Sequence, residues 1–236
     1  MRTMSTPLSN DAPHRVVEQL RRVPLFAHLN PEELVHVSQA VRAKSYPKNS
    51  VILFEDDPGD ALFILVGGQV KVVLIGEDGR EVILAMLQEG DFFGEMSLID
   101  DQPRSAHVIA TEEASMLVLR RADFRTVMDE VPRIALGLLQ ALSRRLRRAD
   151  DKIGGLVLLD VTGRLAKLLL QLADDNDGIT IARRLTHQQL AQMIGSSRET
   201  VSRTLRDLTD RGLIEINRRT MAIRARGGLE ALSGRP

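Results

Sequence analysis

The sequence predicts an α+β protein: an N-terminal β-barrel or jelly roll, a long helix, and a C-terminal helix-turn-helix followed by a strand. Three observations predict it. Between Arg42 and Arg120, short β-rich runs alternate with turn signals, the pattern of an all-β barrel. From Val131-Pro132 onward, apolar residues recur at alternating spacings of four and three. Leu185 to Ile216 then reads as two short amphipathic helices around Gly195, closed by Leu-Ile-Glu-Ile. The expected organisation is a polar segment 1–13, a barrel domain 14–130, a long helix with a hinge 131–159, a helical domain 160–226 and a tail 227–236.

Each element has a local reason. Residues 1–13 are polar with two prolines, so disorder is expected, and they lack the apolar core of a signal peptide. His14 to Val23 reads as a helix ended by Pro24. Asn30-Pro-Glu-Glu is a cap followed by proline at the first helical position, opening a helix to about Val41. The strand runs are Ser50–Glu55, Ala61–Gly67, Gln69–Ile75, Glu81–Leu87, Ser105–Ala110 and Ser115–Arg120. Asp57-Pro-Gly-Asp, Gly67-Gly68, Glu77-Asp-Gly79 and Glu89-Gly-Asp separate them. Strand and helix do not alternate here, which argues against a doubly wound nucleotide fold.

Within the barrel, Gly90 to Ala106 has the parts of a buried anion site. Gly94 lets the backbone approach closely, and Glu95 to Leu98 fit one helical turn whose N–H groups face a negative charge. Arg104 adds a fork-shaped cation and Ser105 a hydroxyl donor. Glu95 would repel phosphate yet accept a hydrogen bond from a sugar hydroxyl nearby. The spacing fits equally well a structural ion pair of Glu95 and Arg104 closing a barrel loop. In the first reading Arg104→Leu removes ligand binding and leaves the fold intact.

The long helix carries Ala135, Leu139, Leu142, Leu146, Ala149, Ile153 and Leu156 as a heptad seam. A seam of this length needs a partner helix, and the same helix in a second copy is the simplest one. Packing against its own barrel is the alternative. Gly154-Gly155 marks an expected hinge. Asp160 to Ala173 resumes as an amphipathic helix, and Asp174 to Gly178 is a turn.

The last motif reads as a nucleic-acid reader. Thr186 at the N-cap with Gln189 three residues on forms a capping box for a helix to Ile194. Ser196 or Ser197 caps a second helix to about Thr209. At roughly 100° per residue, Arg198, Glu199, Ser202 and Arg203 share one face, and Val201, Leu205 and Leu208 another. Arg matches guanine O6 and N7, Glu accepts from cytosine N4, and the first turn of such a helix reaches base edges.

Composition agrees. The chain is 43% hydrophobic and holds no cysteine. That rules out disulfides, a cysteine nucleophile and cysteine-held metal or iron–sulfur centres. No run approaches the ~20 apolar residues of a membrane helix, so no membrane partner and a cytoplasmic location are expected. Net charge is zero, but residues from Arg164 onward carry 13 Lys and Arg against 8 Asp and Glu. A P-loop, GxGxxG and HExxH are absent and the five histidines are scattered, so neither an enzyme nor a metal protein is expected.

SRETVSRTLRDLTDRGLI closely resembles the winged helix-turn-helix of the Crp/Fnr family of bacterial regulators, and GEMSLIDDQPRSA resembles that family's phosphate-binding cassette. The likeness runs from about Leu25 to Arg226. It implies a cyclic-nucleotide-binding barrel, a dimerisation helix and a winged helix-turn-helix, with cyclic AMP as the allosteric ligand. Gly94 and Arg104 would hold the cyclic phosphate with Ser105 beside them, and Glu95 the ribose 2′-hydroxyl. Val72, Leu84 and Leu87 would line the base pocket. Arg198, Glu199 and Arg203 would read bases from the helix that Ser197 opens, Thr186, Gln188 and Thr200 would hold phosphates, and Asn217 to Thr220 would form the wing tip. The implied partners are double-stranded DNA, a second copy of the chain and RNA polymerase. The loop that makes the polymerase contact is shortened here to Asp174–Gly178. The family's oxygen-sensing branch, which uses an iron–sulfur cluster, is excluded by the missing cysteines.

One departure bears on the ligand. The family member that binds cyclic AMP carries a Thr-Ser pair on the long helix, and an ungapped alignment puts Ala149 and Asp150 there, while Arg145 is retained. A carboxylate accepts from guanine N1–H and N2–H together, but faces a lone pair at adenine N1. Cyclic GMP or cyclic di-GMP is therefore the alternative ligand, unless Asp150 simply pairs with Arg147 or Arg148. A DNA-binding dimer whose barrel is only a scaffold is the remaining alternative.

Overall fold

A computed structural model describes residues 12–181, 185–217 and 220–234. Residues 1–11 of the segment expected to be disordered and 218–219 of the expected wing tip lie outside them. The chain forms two compact units, one from the residues up to Gly79 with Leu84–Arg144, the other from Arg80–Ile83 with Arg145 onward.

The first unit opens with α1 (Ala12–Arg21) and, after a 3-10 turn at Pro24–Phe26, α2 (Pro31–Ala40). Asn30 and Glu33 close a reciprocal capping box at the start of α2. Eight strands follow: β1 (Val41–Tyr46), β2 (Val51–Leu53), β3 (Ala61–Gly67), β4 (Gln69–Ile75), β5 (Glu81–Gln88), β6 (Phe92–Phe93), β7 (His107–Ala110) and β8 (Ala114–Arg120). They make two four-stranded sheets ordered β1-β8-β3-β6 and β2-β7-β4-β5. This is the expected jelly roll.

Strand β3 shows why the sequence works. Its run Ala61–Leu65 is buried throughout, with no polar face. Ala61, Phe63 and Leu65 point between the sheets with Val70, Leu87, Phe93 and Val108. Leu62 and Ile64 point the other way, into a second core with α1, α2, α4 (Arg121–Glu130) and the start of α5 (Arg133–Leu158). A strand covered on both faces reads as a continuous apolar run.

Helix α4, strands β1 and β6, the short strand at Thr180–Ile181 and the helix at Arg226–Leu232 were among the elements that escaped the sequence. Helix α4 buries only Phe124 and Val127 and has no side-chain cap, so it is too polar to show periodicity. Strand β1 buries only its first residue, yet pairs with β8 over six residues. Several boundaries also differ by one or two residues. The first helix starts two residues before His14, and the long helix begins after Pro132.

Helix α5 is 26 residues long and passes through Gly154 and Gly155 without a break, ending at Leu158. The two glycines expected to form a hinge are thus part of a continuous helix. Before Arg144 the helix buries Ile134, Leu138 and Ala141 in its own unit. The heptad seam lies roughly 100° round the helix from that face and stands open: Leu139 and Leu146 are each 64% exposed and Ile153 is 60% exposed. Packing against its own barrel therefore centres on a different face, with the seam's Leu142 half-buried against the same core.

In the second unit, Lys167 pairs with Asp151 at 2.5 Å and Gln171 donates to the same carboxylate at 2.8 Å, joining the end of α5 to α6 (Val161–Asp174). Helices α6, α7 (His187–Ile194) and α8 (Arg198–Asp210) share one core around Leu165, Leu169, Leu190, Val201 and Leu205. Strands β9 (Thr180–Ile181), β10 (Ile214–Ile216) and β11 (Met221–Ile223) form a small antiparallel sheet, and α9 (Arg226–Leu232) closes the unit.

Candidate ligand pocket and nucleic-acid interface

Strand β6 delivers the chain to Gly94, whose φ of +84° suits glycine. A Cβ there would lie 2.8 Å from Arg104 Nη1 and 2.9 Å from the Ala61 carbonyl oxygen, so any other residue would displace the arginine. Glu95 precedes the five-residue α3 (Met96–Asp100), the single turn expected there, without a side-chain capping bond. Arg104 arrives from the loop before β7 and is 4% exposed; Glu95 is 1% exposed.

The guanidinium of Arg104 donates from Nη1 to the Gly94 carbonyl at 2.7 Å and from Nη2 to the Ala61 carbonyl at 2.8 Å. Asp60 lies 3.7 Å from Nη2. Nε is buried and makes no hydrogen bond. Burial lowers the pKa of this arginine most; Asp60, Glu95 and Asp57 raise it, and Arg121 lowers it further. The result is a desolvated cation with a spare donor.

The other expected ligand residues divide. Ser105 is exposed, its hydroxyl 3.9 Å from the Met96 sulfur. Val72 and Leu87 belong to the core between the sheets, whereas Leu84 is 43% exposed. Strand alternation puts Leu84 on the opposite face of β5 from Leu87. Arg145 and Asp150 lie in the second unit. Asp150 is exposed and is not paired with Arg147 or Arg148 among the described residues. Gly59 was legible only as part of a turn, yet a Cβ on it would meet the Ser97 side chain at 2.1 Å.

The C-terminal motif is built as its sequence requires. Thr186 and Gln189 form the capping box of α7. Gly195 turns the chain in the left-handed region, φ +63°, and Ser197 caps α8 by accepting from the Thr200 N–H at 3.1 Å. Val201, Leu205 and Leu208 are buried, while Gln188, Arg198, Glu199 and Arg203 are exposed. Thr186 and Ser197 are exposed too, and Thr200 is half-buried. Ser202 hydrogen-bonds His187 at 2.8 Å, so it ties the two helices together. The Glu199 carboxyl is held below the usual range by its own backbone N–H, then by the Ser197 hydroxyl and Arg198. An ionised acceptor therefore stands between two exposed arginines.

A sensor barrel joined in sequence to a DNA-reading motif is the plan of a ligand-controlled transcription regulator. Residues 43–131 match the family model of the cyclic nucleotide-binding domain, and residues 163–232 that of the Crp-like helix-turn-helix domain. The CRP-like cAMP-activated global transcriptional regulator of Mycobacterium tuberculosis is 33% identical over 211 residues, 87% of this chain and 94% of that one. The cyclic AMP receptor protein of Thermus thermophilus is 35% identical over 210 residues, 89% and 96% of the two chains. A CooA mutant from Carboxydothermus hydrogenoformans superposes with a TM-score of 0.73 at 27% identity, covering 83% of this chain and 88% of that one. The chain belongs to the Crp/Fnr family and is a cyclic nucleotide-regulated transcription factor that binds DNA through its helix-turn-helix.

Proposed function

We propose that the protein is a homodimer that binds cyclic AMP in its barrel and, when liganded, reads two inverted TGTGA-type half-sites. The ligand reading rests on one observation: Arg104 is a buried cation beside Gly94 with an unused Nε donor. A cyclic phosphate offers the anion and the acceptor that such a group lacks. Glu95, almost fully buried beside it, suits the ribose hydroxyl, while Val72 and Leu87 offer apolar contacts to the base. Adenine is favoured by the two cAMP-named relatives.

On DNA, Arg198, Glu199 and Arg203 contact base edges, and Thr186, Gln188, Ser197 and Thr200 lie along the phosphates. Two copies related by the α5 seam set the reading helices one DNA turn apart. RNA polymerase and a cytoplasmic site of action follow from the same reading.

Asp150 favours a second reading, a guanine ligand, because no arginine among the described residues engages its exposed carboxylate. Calorimetric titration with cyclic AMP, cyclic GMP and cyclic di-GMP separates the cases. Cyclic AMP is expected to bind best. If a guanine nucleotide binds better, by the ~1.5–3 kcal/mol typical of charged hydrogen bonds, Asp150 selects the base. Ala149→Thr with Asp150→Ser is then expected to return the preference to cyclic AMP. No binding of any of the three would leave the barrel a scaffold.

A further inference from the structure

Arg121, the first residue of α4, acts on Arg104 only through its charge, which lowers the pKa of that arginine. Its Nε and Nη2 donate to the Gly59 carbonyl at 3.1 and 2.7 Å, and Nη2 also donates to the Ser97 carbonyl at 2.7 Å. Nη1 pairs with Asp101, which holds left-handed backbone at φ +56° just past the end of α3. The Arg121 backbone N–H donates to the Asp60 carbonyl at 2.8 Å.

Two arginines thus grip one three-residue segment. Arg104 holds Ala61, and Arg121 holds Gly59 and Asp60. Arg121 also grips α3 at Ser97 and Asp101, which bracket Ile99. Ile99 lines an apolar groove with Phe124 and Met128 of α4 and Leu138, Leu139 and Leu142 of α5. Leu139, which is exposed, and Leu142, which is half-buried against the core of this unit, belong to the seam. All these groups lie in the first unit.

We propose that Arg121 is a positioning residue through which occupancy of the anion pocket is passed to the seam of α5. The inference rests on the cyclic-nucleotide reading above. A phosphate that recruits Arg104 Nε as one prong of a fork takes Nη2 as the other, in competition with the Ala61 carbonyl. The same anion cancels the repulsion between the two guanidiniums. The Gly59–Ala61 segment then has a different balance of holds at each end, and Arg121 converts that change into a shift of α3 and Ile99 against Leu139 and Leu142. Two discrete bonding states of one segment, biased by the ligand, are what coupling requires.

The test uses the full chain and cyclic AMP, with Arg121→Gln. Calorimetry gives nucleotide affinity, and anisotropy gives affinity for a palindromic duplex with and without saturating nucleotide. Nucleotide affinity is expected to fall less than about tenfold because Arg104 remains, while the ligand-dependent gain in DNA affinity, typically about 5–150-fold in allosteric systems, should drop to roughly a tenth of wild type. If Arg121→Gln fails to fold, Asp101→Asn replaces it, since that change breaks the ion pair and spares the carbonyl contacts. It should lose part of the gain. A purely structural role would lower the melting transition and leave the gain of the folded protein unchanged, and that result overturns the proposal. Wild type that neither binds cyclic AMP nor responds to it on DNA overturns the cyclic-nucleotide reading, and this inference with it. A responsive wild type beside equally responsive variants overturns this inference alone.

Discussion

Leu146→Asp is expected to convert the proposed dimer into a folded monomer. Leu146 is 64% exposed in the single chain, so a carboxylate there meets water and costs the monomer little. In an isologous two-fold interface the same position faces the partner from both sides. Each copy would then bury a charge with no partner, at about 3–5 kcal/mol apiece. Summed over the two copies at 1.4 kcal/mol per decade, association weakens by roughly four orders of magnitude or more. Sedimentation equilibrium reads the outcome, and circular dichroism checks that the helices persist. A dimer of unchanged strength would place the interface away from α5.

Arg104→Leu is expected to abolish nucleotide binding and also to destabilise the ligand-free protein. The first effect is the loss of a charge-assisted fork, whose hydrogen bonds are worth about 1.5–3 kcal/mol each. The second follows from the geometry, and it corrects the expectation that pocket and fold are separable. Leucine leaves the Gly94 and Ala61 carbonyls without their donors, at about 1–3 kcal/mol for each buried group left unsatisfied. Arg104→Lys separates the two effects. It keeps the charge but cannot span both carbonyls and an incoming phosphate. Nucleotide affinity should fall steeply in the lysine variant while its thermal transition lies between leucine and wild type. Undiminished nucleotide binding by the lysine variant would move the anion site elsewhere.

The sequence carried most of the architecture because its strands and helices announce themselves by period. Ala61–Gly67 and Gln69–Ile75 were bounded to the residue, and the two helices around Gly195 were capped by the residues that the pattern named. Elements whose stability comes from packing were harder to read. Helix α4 is polar over most of its surface and is held by Phe124, Val127 and its contacts with the sheet. The chain shows Gly154-Gly155 as a weakness, but a helix tolerates glycine at about 1 kcal/mol each when other contacts hold it.

At the site, the short range was legible and the long range was not. Gly94, Glu95, Arg104 and Ser105 lie within twelve residues of one another, so spacing could assemble them. The groups that hold Arg104 are backbone carbonyls at Ala61 and Gly94, and a carbonyl leaves no signature in sequence. Arg121 is separated from Gly59 by 62 positions and looks like any charged residue at a strand end. Leu84 and Leu87 are three apart on a strand, an odd spacing that places them on opposite faces. The resemblance grouped them in one pocket, a grouping that a flat strand does not provide.

The most direct test of the account is the affinity of the purified protein for a duplex carrying two inverted TGTGA half-sites one helical turn apart, measured by anisotropy with and without saturating cyclic AMP. The account predicts tighter binding with the nucleotide, by roughly 5–150-fold, and no comparable gain on a duplex of scrambled sequence. Equal affinity with and without nucleotide, at concentrations that calorimetry shows to be saturating, would contradict it.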